Sequence, residues 1–281
     1  MKCGQSTDFH RVVAWPFTSR RVLRSPIQWV LVNGLHQLRS CHVGLALSGG
    51  SVRGLAHIGV VKVLSEAGIR PSIITGTSAG SLIGAMLAAG MDWSEIASLA
   101  RKTFWPGLLH GETLERFCAE HLPVTFADLK LPFGAITTEV PAKRAVTITT
   151  GDLASAISAS CALRGVRRPV RREGKRLKDG GIACVLPSEA CRAMGADFIV
   201  GSDVWEISSL LRGIGIDPHH PHASLTYPSH YHSAVDNTDL LICPKVPLAG
   251  YVPGPEAIER MISAGEDATR LALSRFTARA A

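Results

Sequence analysis

Nowhere in the chain do two cysteines stand at C-x-x-C spacing; the seven, at positions 3, 41, 118, 161, 184, 191 and 243, are scattered and odd in number. That pattern argues against a disulfide framework and against a zinc ribbon or finger, and it fits a reducing compartment. Charge is also scarce, at 19% Asp, Glu, Lys and Arg against 46% hydrophobic residues, which excludes disorder and low-complexity classes. Aromatics make up only 6% and do not interleave with the basic stretches, so the usual pattern for gripping nucleic acid is missing. A secretory leader is lacking as well. Arg20-Arg21 precedes an apolar stretch, Ile27 to Val32, that Gln28 interrupts and Asn33 closes, and Arg39 occupies the wrong place for a lipoprotein cleavage site at Cys41. The 21 uncharged residues between Arg70 and Asp92 carry Gly76, Gly80 and Gly84 at G-x-x-x-G spacing. Pro71, Ser72, Thr75, Thr77, Ser78 and Ser81 crowd its first half, however, and favour a strand, a tight turn and a buried helix over a membrane span.

What the 281 residues do contain is enough apolar material for one large α/β domain. The net charge of +7 is unevenly placed. Residues 1–42 carry +5, residues 164–178 carry +7, and the remainder sums to −5. These are either two solvated segments or two basic patches that meet an anionic membrane surface, where each Lys or Arg contributes ~1 kcal/mol. The expected location is the cytoplasm, peripheral to a membrane at most.

Short apolar runs alternate with helical stretches and no internal repeat is visible, which predicts a mostly parallel central sheet flanked by helices on both faces. Strands are predicted at Val43 to Leu47, Ser72 to Thr75, Phe133 to Thr138, Ala145 to Thr149, Arg176 to Lys178, Phe198 to Val204 and Leu240 to Cys243. Helices are predicted at Val52 to Ala67, with Ser51 placed to cap its start, and at Ala79 to Ala89, Trp93 to Lys102, Thr113 to His121, Asp152 to Cys161, Pro187 to Met194 and Pro255 to Ala280. Roughly thirty residues after Trp205 hold three prolines and five histidines without periodicity and read as a loop. Residues 1–42 form a basic extension and residues 43–281 one domain, with no linker dividing it.

Three short motifs carry chemistry, and each lies where a strand gives way to a turn. Gly76-Thr77-Ser78-Ala79-Gly80 is a G-x-S-x-G turn that lifts the Ser78 hydroxyl above the sheet at a helix start. Ser48-Gly49-Gly50-Ser51-Val52-Arg53-Gly54 has glycines that let successive N–H groups converge, as an oxyanion hole requires. It lacks the Lys-Ser/Thr of a phosphate-binding P-loop and the G-x-G-x-x-G of a dinucleotide fingerprint. Asp179-Gly180-Gly181 places a carboxylate at a strand exit; alone it is a common turn, but strand exits of an open α/β sheet gather at one crevice.

Together and in this order, these motifs resemble the glycine-rich loop, nucleophile elbow and aspartate motif of patatin-like phospholipases. The similarity runs from about Val43 to the final helix and includes Gly54-Leu55-Ala56-His57-Ile58-Gly59, Ala159-Ser160-Cys161-Ala162 and Leu186 to Val204. The resemblance implies a serine lipolytic acyl hydrolase with Ser78 as nucleophile, Asp179 as general base and acid, and the amides of Gly49, Gly50 and Ser51 as oxyanion hole. It implies a lipid or acyl ester substrate, with no cofactor, metal or nucleic acid; oligomeric state stays open. Ser51 departs from the family pattern, which has glycine there; its hydroxyl is free to cap the helix, and a positive φ at that position would distort the hole. Arg53 is expected to support the loop, to meet substrate phosphate, or to form a surface ion pair. His57 is expected to be a packed, hydrogen-bonded helix residue.

Two other readings stand beside this one. A conventional α/β-hydrolase would recruit one of His219, His220, His222, His230 or His232 to a triad with Ser78. A non-hydrolytic binder of acyl lipids would keep the pocket and lack turnover. The same histidines suit a transition metal, but no carboxylate or cysteine stands at a telling spacing from them.

Overall fold

Val43–Leu47 (β1) and Ile73–Thr77 (β2) are buried at every residue, as parallel strands covered on both faces must be. The computed structural model describes residues 41–103, 105–108, 112–163, 165, 167–213, 228–246 and 253–280. The basic extension to residue 40, together with His219, His220 and His222, lies outside the described residues. Between β1 and β2 run a 3-10 turn, Ser51–Leu55, and helix α1, Ala56–Glu66. Then follow α2 (Ala79–Ala88), α3 (Trp93–Lys102), α4 (Trp105–Leu108) and α5 (Thr113–His121). The strands Phe133–Glu139 (β3) and Arg144–Ile148 (β4) precede α6 (Leu153–Ser160), and a basic hairpin, Val170–Arg172 (β5) and Lys175–Asp179 (β6), comes next. The chain continues through α7 (Ser188–Ala193), β7 (Phe198–Ser202), α8 (Glu206–Gly213), α9 (Ser229–Asp236), β8 (Leu240–Ile242) and α10 (Pro255–Ala280).

The sheet has eight strands in the order β5-β6-β3-β2-β1-β7-β8, with β4 also paired to β3. The five strands β3, β2, β1, β7 and β8 are parallel, while β4 and β6 run antiparallel to β3 and β5 runs antiparallel to β6. Successive residues of β1 and β7 point to opposite faces. Leu45, Leu47, Phe198 and Val200 enter the larger core with Ile58, Ile83, Met86 and Ile262, whereas Ala46 and Ile199 enter a smaller one with Cys191, Tyr231 and Val235. Helices α1, α2 and α10 therefore cover one face and α7 and α9 the other.

Sequence and structure differ most after Trp205. The stretch expected as loop holds α8 and α9, because Tyr231 is fully buried and its hydroxyl donates a short hydrogen bond to buried Asp203, which also accepts from Ser208 Oγ at 2.6 Å. This polar anchor ties α8, through Ser208, and α9, through Tyr231, to the end of β7. The strand expected to reach Val204 ends at Ser202, and the one expected to begin at Arg176 begins at Lys175.

Helices α1 and α10 cross with their backbones nearly touching. A Cβ on Gly59 would lie 1.9 Å from the Ile262 carbonyl oxygen, and one on Gly265 would lie 2.0 Å from that of Ala56. The crossing is braced by Lys62 Nζ on Glu266 Oε1 at 2.7 Å and by Arg270 on Glu66 at 3.1 Å. Gly59→Ala must push the helices apart and is expected to lower stability by about 2 kcal/mol or more, read as a drop in thermal midpoint. A midpoint within a degree of the parent would show that the crossing tolerates a methyl group.

Candidate active site

The edge of β3 that faces β2 is shared by two strands. Thr77, the last residue of β2, pairs with Ile136, and Asp179, the last residue of β6, pairs with the next position, Thr137, while β4 occupies the opposite edge. Because β2 and β6 approach from opposite directions, their ends meet there, and the residues that follow Thr77 are delivered beside Asp179.

Ser78 sits at φ 52°, ψ −121°, a strained conformation for any residue with a side chain. The turn closes only because its flanks are glycine: a Cβ at Gly76 would fall 2.3 Å from the Gly80 carbonyl oxygen, and one at Gly80 would fall 2.3 Å from that of Leu47. Ser81 N donates to Ser78 O at 2.8 Å and starts α2, and Ser81 Oγ donates to the same oxygen at 2.7 Å. From the other side, Ser78 N donates to Ser160 Oγ at 2.9 Å, and Ser160 Oγ donates on to Ile136 O at 2.6 Å. Ser160 thus pins the strained turn to β3. Its letter stood inside the Ala159 to Ala162 stretch, but nothing in the sequence alone marked this contact across 82 positions.

Asp179 is 5% exposed and Ser78 7%, so the two lie almost sealed from water. Asp179 Oδ1 accepts from Gly181 N at 2.8 Å, and Oδ2 is buried with no hydrogen bond of ordinary geometry. Burial pushes the Asp179 carboxyl up to about 6, against the opposing pull of the Ser78 hydroxyl and the Gly181 amide. A hydroxyl and a carboxyl delivered to the same corner, with the carboxyl more basic than usual, suit proton transfer between them.

In the glycine-rich turn the expected donors are not equivalent. The Gly49 N–H is already taken by the Val185 carbonyl at 3.0 Å. The amides of Gly50 and Ser51 form no hydrogen bond with the described residues and stay free for a ligand. Ser51 adopts φ 53°, and its hydroxyl makes no capping bond, contrary to its expected role at the helix start. Arg53 is 7% exposed and donates from Nε to Val204 O at 3.0 Å, which makes it a support of the loop and not a surface ion pair. His57 is fully buried: Nε2 faces the Ser48 carbonyl at 3.0 Å and must carry the proton, and Nδ1 accepts from Ser202 Oγ at 2.8 Å. Its burial lowers the imidazole to about 4, so the ring is neutral and purely structural at ordinary pH.

A cavity with about 450 Å³ of unfilled space, its open mouth included, leads away from this corner. Leu82, Trp105, Leu108, Leu114 and Leu163 line it, with Ser51, Ser78 and Cys161 the polar residues in its wall. Burial first, and the nearby Asp179 charge second, push the Cys161 thiol up to about 12 and leave it inert. No described histidine lines the cavity; His230 and His232 lie on α9, on the other face of the sheet. Among the described residues, no group of three or more His, Cys, Asp or Glu is placed to hold a metal ion.

Comparison with known proteins adds an independent result. Residues 45–106 match the family model described as Patatin-like phospholipase. A lysophospholipase nte1 of Aspergillus fumigatus is 34% identical over 215 residues, covering 68% of this chain, and an NTE family protein of Mycobacterium tuberculosis is 34% identical over 176 residues, covering 57%. The chain spans only 14% of the fungal protein's length and 48% of the mycobacterial one's. Among solved structures, VipD of Legionella pneumophila shares the fold at a TM-score of 0.54 and 16% identity, covering 83% of this chain and 67% of that one. Human GIVD cytosolic phospholipase A2 shares it at 0.52 and 12%, covering 90% and 62%.

The displaced pKa of Asp179 has a thermodynamic sign. The carboxyl ionises near 3.8 when exposed and near 6 when folded, so the unfolded chain releases its proton first, and stability falls as pH rises through this window. Asp179→Asn abolishes the ionisation and keeps the acceptor for Gly181, so it is expected to raise stability above pH 7 by up to about 3 kcal/mol. Thermal midpoints of both proteins at pH 4 and pH 8 check this; an unchanged or lower midpoint at pH 8 would mean that the carboxylate is not desolvated.

Proposed function

We propose that this chain is a member of the patatin-like phospholipase family and a serine acyl hydrolase that cleaves carboxylic esters of lipids through an acyl-enzyme formed on Ser78. The observation that carries the reading is that the ends of β2 and β6 meet on one edge of β3, which delivers Ser78 beside the buried Asp179 at one end of an apolar slot. Ser78 Oγ attacks the ester carbonyl carbon, its proton passes to Asp179, and the carbonyl π pair moves onto oxygen. The resulting oxyanion lies against the Gly50 and Ser51 amides. When the carbonyl re-forms, the C–O bond to the alcohol breaks and the leaving oxygen takes the proton back from Asp179. Water then repeats the sequence in reverse roles, with Asp179 accepting its proton, and frees the fatty acid and Ser78.

A carboxylate near 6 is a better base for this step than one near 4, but it is still far below an alcohol. Much of the barrier must therefore be lowered by oxyanion stabilisation, which the two free amides supply in a site shielded from water. The slot is lined as an acyl chain requires, with apolar walls and polar atoms only at the reacting end. The fungal relative's name, lysophospholipase, brings single-chain phospholipids into the substrate panel beside diacyl lipids and simple esters. The catalytic domain is taken to occupy 43–281, and the chain to work in a reducing cytoplasm, in line with Cys118, Cys161, Cys184 and Cys191 forming no disulfide.

Contact with an anionic membrane surface is assigned to the β5–β6 hairpin. Arg171 lies directly opposite Arg176 and Arg172 opposite Lys175, although like charges at such positions repel. Arg172 turns back onto the Thr150 and Asp152 carbonyls, but Arg171, Lys175 and Arg176 are exposed and ion-pair with no described residue. The strand carrying two of them ends at Asp179, so the charges border the site. No helix among the described residues is long and apolar enough to cross a membrane.

A fluorophosphonate ester is expected to label the protein at Ser78 and not to label Ser78→Ala, with turnover of phospholipids, lysophospholipids or p-nitrophenyl esters lost in the same variant. Folded protein that neither labels nor turns over would favour an acyl-lipid binder. Because Asp179 must be ionised, kcat/KM should fall about tenfold per pH unit below about 6; a flat profile down to pH 4.5 would remove Asp179 from the mechanism. Reversing charge at Arg171, Lys175 and Arg176 together is expected to cost most of the binding to vesicles containing phosphatidylserine and to leave hydrolysis of soluble esters unchanged. Binding of the parent should weaken as salt rises from 0.05 to 0.5 M, within ordinary screening; salt-independent binding would point to apolar insertion.

A further inference from the structure

We infer that the Ser51 side chain is itself an oxyanion donor: its hydroxyl takes the third place in the hole that the Gly49 amide leaves vacant. The inference rests on the acyl-hydrolase reading and deepens it, because it concerns the same site.

Four observations meet at this residue. An oxyanion hole built from the turn 49–51 has three candidate amides, but the Gly49 N–H is turned away and bound to Val185 O at 3.0 Å. Ser51 holds φ 53°, a left-handed conformation that glycine adopts freely and serine does not. Its Oγ is shut off from solvent and hydrogen-bonds to nothing among the described residues, which is unfavourable for a hydroxyl unless a ligand arrives to meet it. Finally, Ser51 and Ser78 line the same cavity, together with Ala79 at the start of α2, so this residue borders the space in which the carbonyl must sit during attack. A glycine at this position would avoid both the backbone strain and the unpaired hydroxyl. Strain and an orphaned polar atom, held together beside a nucleophile, are what a preorganised donor looks like before substrate binds.

The chemistry adds no bond to the sequence above. As the carbonyl π pair moves onto oxygen, Oγ–H of Ser51 donates a hydrogen bond to that oxygen and keeps its proton; Asp179 remains the acceptor of the Ser78 proton. The donated bond strengthens as charge builds, so it acts on the transition state more than on the bound ester.

Two variants of the full chain separate this role from a structural one. Ser51→Ala removes only the hydroxyl and keeps the Cβ; Ser51→Gly removes the hydroxyl and relieves the positive φ; both keep the amide. With p-nitrophenyl butyrate, each is expected to lose about 10²-fold in kcat with KM within twofold of the parent. The thermal midpoint of Ser51→Gly is expected to equal or exceed that of the parent, so turnover and stability move in opposite directions, which damage to the loop cannot produce. The proposal is overturned if either variant keeps kcat within threefold of the parent, or if kcat loss is accompanied by a lower midpoint for Ser51→Gly or a matching rise in KM. Failure of the underlying reading is seen separately, as a parent protein whose turnover equals that of Ser78→Ala.

Discussion

The register along one edge of β3 is the constraint from which the rest of the site follows. Ile136 holds the end of β2 and Thr137 holds the end of β6, so one peptide step on a single strand sets how far the hydroxyl stands from the carboxyl. Parallel pairing alone would separate strand exits by the width of the sheet. Here an antiparallel strand arriving head-on beyond the end of β2 closes that gap. Ser160 and Thr138 reinforce the junction, the first by bridging Ser78 N to Ile136 O, the second by donating to Asp179 O at 2.8 Å. A shift of one residue in the β3–β6 pairing would carry Asp179 to the opposite face and empty the corner of its carboxyl.

The surrounding molecule holds several locally unfavourable features in place. Ser78 and Ser51 occupy positive φ, a carboxylate is buried beside an apolar slot, and glycines that weaken their helices sit where backbones touch. The compensation is visible in the two cores that sandwich the sheet and in polar anchors such as the buried His57, which ties the Ser48 carbonyl to Ser202 Oγ across β1 and β7. Stability is concentrated in the layers, and the positive φ of Ser51 and Ser78 falls at the strand exits that border the cavity.

Much of this was legible in the letters. The short apolar runs at 43–47, 72–75 and 198–204, alternating with helical stretches, announced a parallel sheet. Ser78 and Asp179 were singled out because glycines on both sides of Ser78, and after Asp179, have few explanations other than a tight turn. What stayed hidden was long-range. Helices α8 and α9 depend on Tyr231 reaching Asp203, a contact that leaves no period in the sequence. The role of Ser160 is a hydrogen bond between residues far apart in the chain. Whether a glycine amide points into the site or toward Val185 is a torsional fact, and three neighbouring small residues look alike on paper while only two of their amides are free. Ser51 looked like a helix cap by its identity and turned out otherwise by its dihedral angle.

The short segment that follows the aspartate has a consequence for how much this architecture can vary. Gly181 fixes the carboxyl through its amide, Cys184 O accepts from Thr77 Oγ1 at 3.0 Å just before the nucleophile, and Val185 O holds the Gly49 amide. Residues 180–185 therefore stitch together Asp179, the Ser78 turn and the glycine turn, which come from three distant parts of the chain. The three can translate only as one piece. Lengthening or shortening this tether by a single residue would misalign all of them at once.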